Sequence, residues 1–189
     1  MTFDHIVDTE VQSILQSFGP RGLSLVSTDR QDDDLFRVHF SWNGLDFHHV
    51  VDEQAMNVFV LELSELAVLD EATHPGVIRA ALAAMNRLHG RLHYVRCLLV
   101  PIDADPSTLI TLDVDPEAAR TTLGWLLEPL PDQRAYLTLN FEMPLLGPPA
   151  EQRLEAFDVA MTFLVEGAQM VLTDLHGAGF AVVPGVEGS

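Results

Sequence analysis

Residues 135–176 read AYLTLNFEMPLLGPPAEQRLEAFDVAMTFLVEGAQMVLTDLH, and the fold can be built outward from them. Leu137, Leu139, Phe141 and Met143 alternate with Tyr136, Thr138, Asn140 and Glu142. A period of two is the mark of a half-buried strand. Pro144 ends the strand, and Gly147-Pro148-Pro149 reverses the chain, with Pro149 suited to a first helical turn where its missing N–H is not needed. Leu154, Phe157, Met161, Leu164, Val165, Ala168, Val171, Leu172 and Leu175 then recur at intervals of three and four, which predicts an amphipathic helix. Gly177 is the expected left-handed C-terminal cap. At 1.5 Å per residue, roughly 26 residues make a helix of about 40 Å, enough to cover a sheet.

The preceding chain supplies that sheet. Val7, Val11, Ile14, Leu15 and Phe18 predict an amphipathic helix over 4–18 that Gly19-Pro20 closes. Asp8 and Glu10 are read as acids favoured near its positive end. Residues 27–34 form a polar run, and Asn43-Gly44 then sits between two alternating segments, 35–42 and 45–52. That dipeptide suits a two-residue type I′ turn, which pairs Trp42 with Leu45, Phe40 with Phe47, Val38 with His49 and Phe36 with Val51. Arg37, His39, Ser41, Asp46 and His48 fall on the opposite, polar face. A third strand is expected near 56–63. Thr73 is the expected N-cap of a helix carrying Val77, Ile78, Ala81, Leu82, Met85 and Leu88, with Pro75 in its first turn and Gly90 at its end. Residues 91–101 read as a further strand. The region 103–133 offers a strand over 108–114 and a short helix ending in Leu123, Trp125, Leu126 and Leu127. The order predicts an α+β fold, an antiparallel sheet packed by helices. It is expected as a single domain over 1–177, with an irregular tail over 178–189.

Composition narrows the function classes. The 189 residues carry 28 acids against 10 basic residues, all arginine, for a formal charge of −18. Such a charge repels phosphate backbones and disfavours direct nucleic-acid binding. Lacking lysine, the chain has neither Schiff-base chemistry nor a phosphate-loop lysine. The excess of acid points to a basic protein partner, and a solvated surface that keeps an apolar chain soluble is the plainer reading. The single cysteine, Cys97, excludes an internal disulfide and a cysteine-rich zinc site. No apolar run approaches the roughly 18–20 residues of a membrane span. The N-terminus is not that of a signal peptide, and a cytoplasmic protein is expected.

Three stretches and the meander between them resemble the YbjN family, whose fold is similar to that of the class I type III secretion chaperones. Residues 6–23 look like the family's opening helix. Residues 84–100, AMNRLHGRLHYVRCLLV, resemble its central helix and following strand, and 135–176 its closing strand–helix unit. The segment 103–133 departs as an insertion, and Asn86 stands alone where relatives often have two asparagines. The resemblance implies a non-enzymatic, chaperone-like homodimer that binds other polypeptides in a bacterial stress or regulatory setting.

Chemistry candidates are few. His39 and His48 should face one another with Asp46 nearby, plausible zinc ligands that also fit a half-exposed polar strand face. His48 and His49 point to opposite faces and cannot chelate together. His89 and His93 flank the helix end at Gly90, where a cation favours the dipole. Asp103, Asp105, Asp113 and Asp115 lack the glycine and terminal glutamate of a calcium loop. Cys97 lies in an apolar strand and reads as a buried thiol. A metal-binding or redox enzyme using His39, His48 and Cys97 is the rival to the binding module, for which no cofactor is expected. Val159, Phe163 and Met170 fall outside the main stripe of the long helix and, with Trp125, are the predicted dimer or partner interface. Met85, Met143, Met161 and Met170 add side chains that adapt to varied contacts.

Overall fold

The computed structural model describes residues 2–102, 133–145 and 149–181. The expected strand over 108–114, the short helix and Trp125 lie outside them, as do the last residues of the tail. Helix α1 (Phe3–Phe18) is followed by strands β1 (Ser24–Asp32), β2 (Leu35–Trp42), β3 (Leu45–Asp52) and β4 (Val58–Asp70). Helix α2 (Val77–His89), strands β5 (Val95–Pro101) and β6 (Arg134–Pro144), and helix α3 (Pro149–Gly177) complete the order. The six strands form an antiparallel sheet in the order β1-β2-β3-β4-β6-β5. The predicted α+β architecture is therefore present, with a helix first and the long helix last.

The hairpin has the predicted register. Trp42 pairs with Leu45, Phe40 with Phe47, Val38 with His49 and Phe36 with Val51. Asn43 and Gly44 have φ of 52° and 77°, the two positive values that a type I′ turn requires. One strand was not anticipated. Residues 24–32 form β1, paired antiparallel with β2, where the sequence reads mostly as a polar run. β1 is an edge strand with both faces largely exposed, so it lacks the alternation from which strands are recognised. β4 also runs seven residues beyond the expected Leu63, to Asp70. Its burial alternates until Glu65, an exposed residue whose φ of 49° breaks the pattern.

The chain divides into two compact units, and β4, β5, β6 and α3 contribute residues to both. In the first unit (Met1–Ser64, Leu92–Arg96 and Leu139–Gly167), the apolar stripe of α1 and the first half of α3 lie on the inner face of β2–β4. Phe157 of α3 is the centre of this core. Its ring meets Phe18 at 5.1 Å, Phe40 at 5.6 Å and Phe59 at 6.4 Å, the last two edge-on. Such pairs add about 0.5–1.5 kcal/mol each beyond the area they bury.

The second unit (Glu65–Arg91, Cys97–Thr138 and Ala168–Ser189) buries Val77, Ile78, Ala81, Ala84 and Leu88 of α2 and Val171 and Leu175 of α3. Thr73 is not the N-cap of α2. Gly76 takes that place at φ 88°, and the buried Glu71 carboxylate accepts the freed N–H groups of Gly76 (2.6 Å) and Ile78 (2.9 Å). A carboxylate at this end also complements the helix dipole. Thr73 instead joins a turn built on Asp70, whose carboxylate accepts its hydroxyl and the Ala72 N–H. The C-terminal cap of α3 lies two residues beyond the predicted glycine. Gly177 is still helical, while Gly179 has φ 91°, with Gly179 N–H on His176 O (2.9 Å) and Phe180 N–H on Leu175 O (3.0 Å). Those two bonds make a Schellman cap.

Residues 152–177 of α3 are, by length and composition alone, long and apolar enough to cross a membrane, contrary to the expectation from sequence. Of its most apolar window, 44% is buried.

Candidate functional site

Three features of the first unit bear on function: a buried charge network, a histidine pair on the outer sheet face, and exposed apolar side chains. The buried network is the most completely defined. Glu10 of α1, His49 of β3 and Arg153 of α3 meet inside the core, with His49 and Arg153 at 0% and 2% exposure. His49 Nδ1 lies 2.7 Å from Val60 O and Nε2 lies 2.8 Å from Glu10 Oε1. Arg153 donates Nε to both oxygens of Glu10, at 2.7 and 2.8 Å, and Nη1 to Met56 O and Val58 O. The His49 ring stacks on Phe59 at 4.7 Å, and the Arg153 guanidinium lies 5.9 Å from the same ring. Burial pushes the Glu10 carboxyl up, but the His49 hydrogen bond and charge and the Arg153 cation outweigh it and leave the group below its ordinary value.

None of these three residues is among the predicted site residues. Glu10 sits in the middle of α1, not at its dipole end. Each nevertheless stands on a stripe read as apolar: Glu10 between Val7 and Val11, His49 opposite Val38, and Arg153 one turn before Phe157. A polar residue on an inward stripe was the available signal.

On the outer face, His39 and His48 pair across the hairpin as expected, and their rings stack at 4.5 Å with an interplanar angle of 11°. His39 Nε2 is 3.0 Å from Asp46 Oδ1. Burial, together with the Arg37 charge, lowers His48 to about 4, so its ring is neutral at physiological pH. Its Nδ1 is buried without a hydrogen-bond partner among the described residues. Arg37 is tied to Glu62 at 3.3 Å, and Ser64 donates to the same carboxylate at 2.6 Å. Among the described residues, no group of three or more His, Cys, Asp or Glu side chains is arranged to hold a metal ion.

Cys97 belongs to the second unit. Its thiol is buried, and desolvation pushes its pKa up to about 12. At neutral pH it is therefore a thiol and not a thiolate nucleophile. His89 Nε2 accepts the Cys97 N–H at 2.9 Å, so the ring bonds the strand backbone and requires a proton-free Nε2.

The apolar candidates are distributed unevenly. Val159 is 38% exposed. Phe163, one turn on, is half-buried because its ring stacks on Phe141 at 6.2 Å. Tyr94 meets the same Phe141 ring at 6.3 Å and is 56% exposed. Met170 is half-buried in the second unit, where Leu98 is exposed at 43%. Edge strand β1 carries Leu25 and Val26, both exposed.

No protein-family model matches the chain, and no curated protein is similar to it. Among solved structures, the chain is similar to an uncharacterized protein from Methanothermobacter thermautotrophicus, with 9% identity, a TM-score of 0.46, and coverage of 88% of this chain and 99% of that one.

Proposed function

We propose that the protein is a non-enzymatic, chaperone-like binding module of the cytoplasm, homodimeric, that engages a basic partner protein through apolar surface set among acids. The observation that carries this reading is the row Val159, Phe163, Phe141 and Tyr94 in the first unit, which begins and ends in exposed apolar side chains. In a chain of formal charge −18, such a patch combines apolar area for affinity with a surrounding field that attracts cations. The resemblance to YbjN-like proteins and to type III secretion chaperones supports the same reading. A nucleic-acid-binding protein is one class of basic partner that would satisfy it.

Sedimentation of Val159→Asp and Phe163→Asp, alongside arrays of basic-apolar peptides, tests the proposal. Wild type should be dimeric and should bind such peptides less tightly as salt rises. Either substitution should lower the assembly state or weaken peptide binding at least tenfold. Unchanged assembly and unchanged peptide binding in both variants would remove the interface.

The rival reading, a metal-binding or redox enzyme, has the stacked His39–His48 pair with Asp46 as its supporting observation. Calorimetric titration with zinc, repeated on His48→Ala, separates the two readings: stoichiometric binding lost in the variant would favour the rival.

A further inference from the structure

We propose that one proton shared by His49 and Glu10 is a required part of the folded first unit and acts as a latch holding α1 on the sheet. The argument is a count of donors and acceptors. Both ring nitrogens of His49 face oxygen: Nδ1 faces Val60 O, and Nε2 faces Glu10 Oε1. The Val60 carbonyl can accept but never donate, so Nδ1 must carry hydrogen. The second contact then needs a hydrogen as well, either on Nε2 or on the Glu10 carboxyl. A neutral ring beside an ionised Glu10 fills one contact and sets two lone pairs against each other in the other. Both acceptable states contain the same extra proton, so the conclusion holds whichever group carries it.

Among the described residues, the charged or titratable groups facing His49 belong to this network. α1 presents Glu10 and α3 presents Arg153. β4 presents the Val60 carbonyl and the Phe59 ring, and β2 presents Val38 across the hairpin. His48, the neighbour in sequence, pairs with His39 on the opposite face. Arg153 holds both Glu10 oxygens, which favours the ionised carboxylate and puts the proton on His49. The network is then a guanidinium, a carboxylate and an imidazolium, with His49 and Arg153 buried and the Glu10 side chain 8% exposed. Loss of the proton leaves a lone pair on the buried His49 ring facing a carboxylate oxygen, which a largely desolvated site does not tolerate well. The least costly relief is movement of α1, because the facing oxygen belongs to Glu10 on that helix while His49 is fixed in a strand paired on both sides, with β2 and with β4.

Nitrogen-detected magnetic resonance of the full chain follows the His49 ring, and hydrogen exchange of the α1 amides, corrected for intrinsic rate, follows the helix. The ring should be doubly protonated in every condition in which α1 is protected. Loss of the ring proton with α1 protection unchanged would overturn the latch. His49→Phe retains the stack on Phe59 and removes both donors. Its α1 amides should exchange at least tenfold faster than those of wild type, and equal protection in the two proteins would also overturn the proposal. Should His49→Phe not fold, the wild-type ring protonation and α1 protection decide alone.

Discussion

Gly177 and Gly179 stand two residues apart and have opposite roles. Gly179 has φ 91°, where a side chain costs roughly 1–2 kcal/mol, while Gly177 is helical and has open space where a Cβ would go. Gly179→Ala should therefore destabilise by about 1–2 kcal/mol in denaturant unfolding. Gly177→Ala should be neutral or stabilise by up to about 1 kcal/mol, because glycine is a poor helix residue. The opposite ranking would return the cap to Gly177. Sequence reasoning chose Gly177 because the apolar stripe ends at Leu175, but Gly179 also follows that stripe, and only the backbone bonds of residues 174–180 distinguish them. Thr73 illustrates the same limit. It is a good N-cap by type, yet Glu71 reaches the helix end from outside the capping position. Capping by a residue five positions upstream leaves no fixed spacing to read.

At the scale of elements, legibility followed burial on one face. β2 and β3 bury one face and leave the other half-buried, so their pattern and the Asn43-Gly44 turn specified the register residue by residue. β1 pairs just as fully but has no buried face, and two irregularities interrupt its register, so nothing periodic marks it. The stripes of α1 and α3 were read correctly as inward-facing, and the polar residues on them were not assigned a partner because the sequence does not say which element lies opposite. The Glu10–Arg153 pair joins those two helices across 143 residues. Arg153→Met should cost about 3–5 kcal/mol by leaving the buried Glu10 carboxylate with His49 as its remaining partner among the described residues. The double variant Glu10→Leu with Arg153→Met should recover part of that loss, since it removes both buried charges and leaves a neutral His49 on Val60 O. Stabilities measured in a double-mutant cycle check this; additive losses would mean that the two groups act independently.

For the whole molecule, charge is the dominant bulk property. A net charge of −18 on 189 residues favours solubility and opposes compaction through self-repulsion. Raising salt from low to about physiological ionic strength shortens the Debye length to about 8 Å. The midpoint of thermal unfolding should rise by several degrees over that range, more with divalent than with monovalent cations. A midpoint that falls with salt would mean that exposed ion pairs, such as Arg21–Asp158 and Arg30–Asp4, outweigh the repulsion. Composition made this scale the most legible of the three, because net charge needs no knowledge of the fold. It does not reveal that one cation, Arg153, is spent in the interior.

The order in which the network's members are synthesised has its own consequence. α1 and the β1–β4 meander are made of neighbouring segments, whose loops close quickly and whose hairpin can form early. Glu10 and His49 both belong to that early part, while Arg153 emerges 143 residues after Glu10. Until α3 is made, the nascent meander has a carboxylate facing its apolar side without its guanidinium, and Phe40 and Phe59 without Phe157. The growing chain therefore has reason to delay sealing α1 onto the sheet. Arrival of α3 supplies the countercharge and the central aromatic ring within one turn of helix, making closure of the first unit a late, concerted step.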